Sequence, residues 1–583
     1  MSILFLVVVW LLTQAAGLFS PPLLDDVDSI HVEAAKEMAM RHDYVTLYVD
    51  GIRYLDKPPL PYWLGAIGVH LFGAHDWAIR LALSVSVLVL SLFLYSMGRR
   101  WYGERAGFFA ACAIATSIGP YIYTRFFIPD VIVGLWMAIS ADLALRMVQD
   151  TDEGRQARPS HVIGFALSCT AAVLSKGLIG IVFPVGMLLI FLFLTGRLKN
   201  LFRMRLLLGI VAFLITALPW HILADIQNKA SGQSRGWFWF YFINEQVNRY
   251  LNTRIPRDYN KVPLVTFYVL LVVWVMPWGI YLAGILRDWL KERKPLREGG
   301  PGLMLTIWTI LIVGFFTFST RQEYYTIPAV PALALLAGAY LARKQNGKDV
   351  WVRRSTWALF AVGVLVAVVC GYLAIVAKTP QPGVDLFTVL DQHPQDYTLS
   401  FGHFFDFTTS AFGYFHAPLI GMSVSMFVTT GLALFFRLRG KGFASVMALT
   451  LGMCGVIACI HSGLATFYPI MGSKQLATVI QEHWQPEAKV VLDGEYSNGS
   501  SINFYLNQPV YMLNGRVNNL WYGSLYADAP HRFEDDASFL ALWQGAPRIF
   551  FVTHNKQRTQ LWVRQHGGTV LTEYGGKYVV ENH

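Results

Sequence analysis

Runs of about twenty apolar residues, the length that crosses a bilayer as a helix, recur along most of this 583-residue chain. They centre near residues 11, 87, 114, 137, 168, 186, 214, 274, 310, 333, 365, 423 and 454, so the pattern predicts thirteen membrane spans. Longer mixed segments interrupt them at residues 20 to 76, 225 to 262 and 378 to 410. From about residue 466 the pattern changes. Lys489 to Leu492, Pro509 to Leu513, Arg548 to Thr553 and Lys577 to Glu581 read as strands, and Ser501 to Leu506 and Thr559 to Gln565 as helices. The predicted fold is a polytopic α-helical membrane domain over residues 1–465, followed by a small α/β domain over residues 466–583.

Composition agrees, with 54% hydrophobic and 14% charged residues. The net charge of +10 does not point to nucleic acid, because the basic residues fall in alternate short loops. These loops carry Arg99, Arg100 and Arg105; Arg146, Arg155 and Arg158; Arg197, Lys199, Arg203 and Arg205; and the run from Arg287 to Arg297. The same register continues through Arg343 to Arg354 and ends with Arg437, Arg439 and Lys441. Positive-inside topology then sets the N-terminus in the cytoplasm, the long segments and the C-terminal domain outside, and the chain in the cell inner (plasma) membrane. Residues 2 to 19 read as an uncleaved first span, a signal cleaved near Ala15-Ala16 being the alternative. The five cysteines lie in apolar stretches without metal-ligand spacing, and no Gly-rich nucleotide loop is present.

Candidate chemistry lies in the outer segments. Asp25, Asp26 and Asp28 precede a stretch with Ile30, Ala34 and Met38 on one face and Glu33, Lys36, Glu37 and Arg41 on the other, which predicts a helix along the membrane surface. Capping of that helix is one use of the aspartates; a general base or a divalent-cation ligand is the other. Asp56-Lys57-Pro58 opens a second interfacial helix, with Tyr62 and Trp63 suited to the headgroup zone. Arg125, Lys176 and Arg321 break the positive-inside pattern at the outer ends of apolar spans. With Lys57 they offer four cations to a lipid phosphate, unless each snorkels or pairs with Asp130 or Glu323. In the aromatic run after Trp237, Glu245 and Arg249 share a helix face and either pair with each other or join the site. The aromatics themselves suit an interfacial anchor.

These residues resemble the bacterial GT-C glycosyltransferases of the ArnT type, relatives of the protein O-mannosyltransferases. The resemblance rests on Asp25-Asp26-Val27-Asp28 leading into Glu33 to Met38, on Asp56 to Trp63, on Arg125 to Asp130, and on Ser175-Lys176-Gly177. Asn244-Glu245, Arg249-Tyr250 and Tyr324-Tyr325 through Leu335 complete it, over roughly residues 1 to 345. It implies a polyprenyl-phosphate sugar donor, a catalytic acid residue opening the first outer loop, Lys57 near the carrier phosphate and Tyr324 and Tyr325 in the substrate site. Asp56 stands where relatives usually have Glu, a position associated with metal. The triple-aspartate pattern leaves Asp26 and Asp28 both as candidate bases, with Asp28 favoured.

The function so implied is inverting transfer of a hexosyl or pentosyl group from a polyprenyl-phosphate carrier to a lipid, glycan or protein acceptor, with no certain cofactor and a divalent metal as an option. A translocator of lipid-linked sugar that does no chemistry is the alternative, and a non-catalytic envelope scaffold a third reading. A transporter predicts mid-span ionisable residues and two pseudo-symmetric halves, which the sequence does not clearly carry.

Overall fold

The computed structural model describes residues 1–15, 17–257, 261–292, 299–345, 349–381, 383–392 and 402–582. Each of the thirteen predicted centres falls on an apolar helical segment. Among the described residues, seven helices are individually long and apolar enough to span a membrane: Asp76–Tyr102, Asp130–Asp152, Leu206–Gln227, Pro301–Phe318, Val350–Val376, Ala411–Leu438 and Gly442–Met471. An eighth, Leu264–Trp274 with Trp278–Lys291, bends by 104° at a break containing Pro277, which cannot donate to a helical ladder. Shorter apolar helices, including Ser2–Ala15 and Ile179–Leu194, complete the bundle. Small residues permit its tightest crossings. A Cβ on Gly98 would stand 2.6 Å from the Gly107 Cα, and one on Gly338 would stand 2.6 Å from the Ala110 amide nitrogen.

The basic loops gather at one end of the bundle. Lys344 pairs with Asp288 and Asp349 at 2.5 and 2.7 Å, and Arg197 with Asp152 at 3.3 Å. The mixed segments gather at the other end, under the C-terminal domain. That domain is a six-stranded sheet in the order β5-β4-β3-β6-β8-β7. Its strands are β3 (Lys489–Asp493), β4 (Val510–Leu513), β5 (Phe533–Glu534), β6 (Ile549–Thr553), β7 (Thr569–Tyr574) and β8 (Lys577–Glu581); β1 (Tyr48–Val49) and β2 (Ile52–Arg53) form a separate hairpin. Strands β3 to β6 are parallel neighbours, while β8 pairs antiparallel with β6 and with β7. The last membrane helix runs to Met471, so the boundary expected at residue 465 falls inside it.

The first outer helix is Val27–Arg41, and its surroundings differ from the expectation of a helix lying at the water interface. Residues from Asp28 to Ala39 are buried on both faces. Ala35 packs toward Gly65 on the membrane side, while the charged side is covered by the C-terminal domain, where Lys36 pairs with Glu33 at 2.9 Å and donates to the Phe504 carbonyl at 3.3 Å. Burial is tolerable because the two charges satisfy each other. The aromatic run after Trp237 packs in part against the C-terminal domain, while Phe238 and Ile243 stay exposed as an interfacial anchor requires. Phe240 stacks on Tyr522 of the C-terminal domain with centroids 3.9 Å apart, and Trp237 stacks on Tyr241 against Trp220. The β1–β2 hairpin turns through Asp50-Gly51, both at positive φ as such a tight turn requires, and Asp50 meets Arg532 at 3.3 Å.

Candidate active site

Four cations and three carboxylates from separate elements meet between the bundle and the C-terminal domain. Lys57, just ahead of the Leu60–Phe72 helix, donates to Asp56 at 2.8 Å. Arg254 stands 4.0 Å from Asp56 and donates to Glu245; Glu245 also accepts from Arg249 at 2.9 Å. Lys176, ending the Pro159–Lys176 helix, is paired with Asp130, which opens the Asp130–Asp152 helix. Each member of this last pair complements its helix dipole, a cation at a C-terminus and an anion at an N-terminus. Lys57 acts electrostatically on both Asp130 and His31, so the two halves of the cluster share one field.

Aromatic groups wall the cluster. The Lys176 ammonium lies 5.0 Å from the Tyr324 ring centre and 4.8 Å from that of Tyr325, within cation–π range. Burial raises the Tyr324 hydroxyl well above the usual phenol range, as do Tyr325, Asp130 and Asp26, while Arg249 opposes them, so the phenol remains a proton donor. Asp56 is held below the ordinary carboxylate range: burial pushes it up, and Lys57 and Arg254 outweigh burial. Asp56 Oδ1 and Asp130 Oδ2 are buried without a hydrogen-bond partner. Orphaned acceptors of this kind are costly unless a ligand donor meets them.

The three aspartates of the first segment have separate environments. Asp25 accepts from Lys577, Ser473 and Ser501 of the C-terminal domain, at 2.6, 2.6 and 2.7 Å. Asp28 is 1% exposed, paired with Arg80, and accepts from the Leu24 and Phe127 amides at 3.1 and 2.9 Å. Asp26 is exposed at the mouth of the cluster, close enough to act on Tyr324. It precedes the helix at φ 69, a conformation rare for residues with a side chain, and its amide donates to Ser500 Oγ at 2.9 Å. The carboxylate favoured from the sequence is thus bound by three partners, while Asp26 is exposed and acts on Tyr324.

Arg125 and Arg321 do not join the cluster. The Arg125 guanidinium donates to the Gly17 carbonyl and to Gln14 Oε1 at 3.2 Å, at the end of the first helix. Arg321 donates to the Val262 and Thr317 carbonyls, each at 3.0 Å. Backbone carbonyls supply negative potential that the sequence cannot reveal. The pairings of Lys176 with Asp130 and of Glu245 with Arg249, both weighed from the sequence, are present.

Two site residues escaped the sequence reading. Arg254 is another cation on the face opposite the basic loops, but it lies inside the long segment 225 to 262, where the rule that singled out Arg125 does not look. His31 donates from Nδ1 to the Phe127 carbonyl at 2.7 Å and accepts at Nε2 from the Tyr54 hydroxyl at 3.2 Å. Burial lowers its pKa to about 4, and Lys57 adds to the shift, so the imidazole is a neutral strut. It gave no sequence signal beyond being a histidine on an otherwise apolar and charged helix.

The surroundings of Asp56 do not fit a divalent cation. Its partners are an ammonium and a guanidinium, which repel a dication, and among the described residues no group of three or more His, Cys, Asp or Glu side chains is placed to hold one.

Residues 56–222 match the family model described as dolichyl-phosphate-mannose-protein mannosyltransferase. Among curated proteins, the undecaprenyl phosphate-alpha-4-amino-4-deoxy-L-arabinose arabinosyl transferase of Pectobacterium carotovorum is 24% identical over 520 residues, covering 88% of this chain and 84% of its own. The Pseudomonas fluorescens transferase of the same description, numbered 2, is 25% identical over 519 residues, covering 86% and 78%. Among solved structures, ArnT from Cupriavidus metallidurans bound to undecaprenyl phosphate superposes with a TM-score of 0.79 at 24% identity, over 100% of this chain and 97% of that one. The chain therefore shares the fold of that protein, a helical membrane body capped by a small α/β domain. These likenesses agree with the resemblance to ArnT-type transferases carried by the motifs in the first 345 residues.

Proposed function

We propose that this protein transfers a sugar from a polyprenyl-phosphate carrier to an acceptor at the outer face of the cell inner membrane, with inversion at the anomeric carbon. The reading is supported by one observation: Lys57, Lys176, Arg249 and Arg254, paired with Asp56, Asp130 and Glu245, converge beside two buried carboxylate oxygens that accept no hydrogen bond. Cations gathered at the outer end of apolar spans suit an anion that sits at membrane depth. A lipid phosphate meets that need while its tail lies along the apolar helices. The relatives' names favour undecaprenyl phosphate as carrier and a pentose as cargo.

In this mechanism Lys57, Lys176, Arg249 and Arg254 bind the carrier phosphate, the guanidinium groups as planar forks and the lysines as point charges. Asp56 and Asp130 present their unpartnered oxygens to hydroxyl or amino hydrogens of the sugar. Asp26 takes the proton of the acceptor hydroxyl, whose oxygen attacks the anomeric carbon. The bond from that carbon to the phosphate oxygen breaks, its electron pair stays with the phosphate, and the cations stabilise the developing charge. Tyr324 and Tyr325 hold Lys176 in place and limit water. No step requires a metal. The N-terminus and the basic loops face the cytoplasm and the C-terminal domain the exterior, which the segregation of Arg and Lys to one end of the bundle supports.

The test is transfer by the purified protein from radiolabelled polyprenyl-phosphate sugars, comparing Asp26→Asn, Asp28→Asn and Lys57→Ala. Loss of turnover with carrier binding kept in Asp26→Asn supports the reading. Undiminished turnover in all three sinks it, and carrier binding without any turnover by the native protein favours translocation instead.

A further inference from the structure

Two serines hold the backbone of Asp26, and one of them belongs to the C-terminal domain. Asp26 stands at φ 69 and ψ −136, a conformation open to glycine and costly for a residue with a Cβ. Its surroundings keep it there. The Asp26 amide donates to Ser500 Oγ at 2.9 Å, the Ser500 and Ser29 hydroxyls lie 2.7 Å apart, and Ser29 Oγ donates to the Asp26 carbonyl at 3.3 Å. Because the Ser29 proton goes to that carbonyl, the Ser500 proton goes to Ser29, and the bonds close into a ring. Both serines are 0% exposed, so neither hydroxyl exchanges its partner for bulk water.

We propose that Ser500 and Ser29 are positioning residues for the base, so that the C-terminal domain completes the catalytic geometry of the first outer segment. The inference deepens the transferase reading and rests on its assignment of Asp26. The ring holds the peptide groups on both sides of Asp26, and so sets both of its dihedrals and the direction of its Cβ. Without it the residue relaxes toward the ordinary negative-φ regions and the carboxylate moves. A shift of about 1 Å at a catalytic group lowers a rate by about 100-fold.

The neighbours are anchored separately. Ser501, next to Ser500, meets Asp25 Oδ1 with its amide at 2.9 Å and its hydroxyl at 2.7 Å. Two adjacent serines at the start of the Ser500–Leu506 helix thus grip two consecutive aspartates, one by its side chain and the other by its backbone. On the other side, Asp28 is held by Arg80 and by the Leu24 and Phe127 amides. Asp26 alone of the three is exposed, and its charge reaches Tyr324 of the cation cluster. Glycine would adopt this conformation freely, so an aspartate kept there against its backbone preference points to a use for the carboxylate.

The test uses the full-length protein in detergent micelles, with radiolabelled polyprenyl-phosphate sugars as donors and total envelope lipid as acceptor. Ser500→Ala and Ser29→Ala are each expected to lower kcat about tenfold or more, with the donor KM changed less than about twofold. The Ser29→Ala/Ser500→Ala double variant is expected to be no slower than the slower single one, because opening the ring at either serine frees the same backbone. Added to Asp26→Asn, Ser500→Ala is expected to lower kcat no further, since no base remains to be placed. An unchanged kcat in Ser500→Ala, losses that multiply in either double variant, or a donor KM that rises as kcat falls overturns the proposal. Hydrogen exchange reads the ring without turnover. The amides of residues 24–30 are expected to exchange about tenfold faster in Ser500→Ala, and unchanged exchange overturns the proposal too. Full turnover in Asp26→Asn, or none by the native protein, ends the base assignment itself, whatever the two serines do to exchange.

Discussion

Asp26 and Asp28 stand two positions apart and have opposite environments. Asp28 pairs with Arg80 and two amides in a place closed to water, so Asp28→Ala leaves a buried guanidinium unpaired and is expected to cost about 3–5 kcal/mol, read as a lowered unfolding midpoint and poor yield. Asp26→Asn removes an exposed charge, and is expected to leave the midpoint near that of the native protein while reducing turnover by about 100-fold or more. Equal losses of stability in the two variants would show the environments wrongly assigned. His31 gives a pH dependence. Its folded pKa of about 4 lies below the ordinary 6.5, so the unfolded chain binds the extra proton first as pH falls. Its contribution is therefore complete above pH 6.5 and declines between pH 6.5 and about 4. The unfolding midpoint of the native protein should fall across that window, and less steeply in His31→Gln. At this scale the sequence exposed Lys57 and Lys176 because charge near hydrocarbon is conspicuous. The same rule drew Arg125 and Arg321, which donate to backbone carbonyls.

At the scale of elements, helices were legible because twenty apolar residues leave little choice of structure, and four strands of the C-terminal sheet were legible because their β-branched cores are buried on both faces. Strand β5, with two residues, and β7, an edge strand with mostly polar or exposed positions, carried no comparable signal. Helix contacts were not legible. The Leu60–Phe72 helix lies so close to the next that a Cβ on Gly68 would stand 2.1 Å from the Ala78 carbonyl oxygen, and one on Gly65 would stand 2.9 Å from Ala35 Cβ. A backbone oxygen cannot step aside. Gly68→Ala is expected to cost about 1–3 kcal/mol and, because Lys57 lies just upstream, to raise the carrier KM. Gly314→Ala, in the Pro301–Phe318 helix with nothing within 4 Å of its added Cβ, is the control and should leave the unfolding midpoint unchanged or slightly raised. A Gly68→Ala protein as stable as the control would remove the claim that this crossing sets the position of Lys57.

The whole molecule is one site closed by two parts of the chain far apart in sequence. A single apolar core joins the Val27–Arg41 helix to the C-terminal sheet, and the ion pair of Asp25 with Lys577 lies at that seam. A sequence reading that divides the chain at the last span cannot see this, because the contacts link residues 552 positions apart. Burial raises the Asp25 pKa, and Lys577 with its hydroxyl neighbours more than reverses the effect, so the carboxylate is charged at neutral pH. Lys577→Met strands that charge and is expected to cost about 3–5 kcal/mol and most of the transfer activity, although Lys577 touches no reacting group. Asp25→Asn in the same chain removes the stranded charge and should restore most of the stability. The pH dependence separates this account from simple loss of packing. With Lys577 gone, burial is set only against the Ser473 and Ser501 hydrogen bonds, and the folded pKa of Asp25 is expected to rise above the ordinary 3.8. The folded single variant then binds a proton before the unfolded chain does, so its deficit relative to the native protein should shrink as pH falls toward that value. A deficit that stays constant from pH 7 to pH 4, or an Asp25→Asn/Lys577→Met double variant no more stable than the single one, would show that the seam depends on shape and not on this pair.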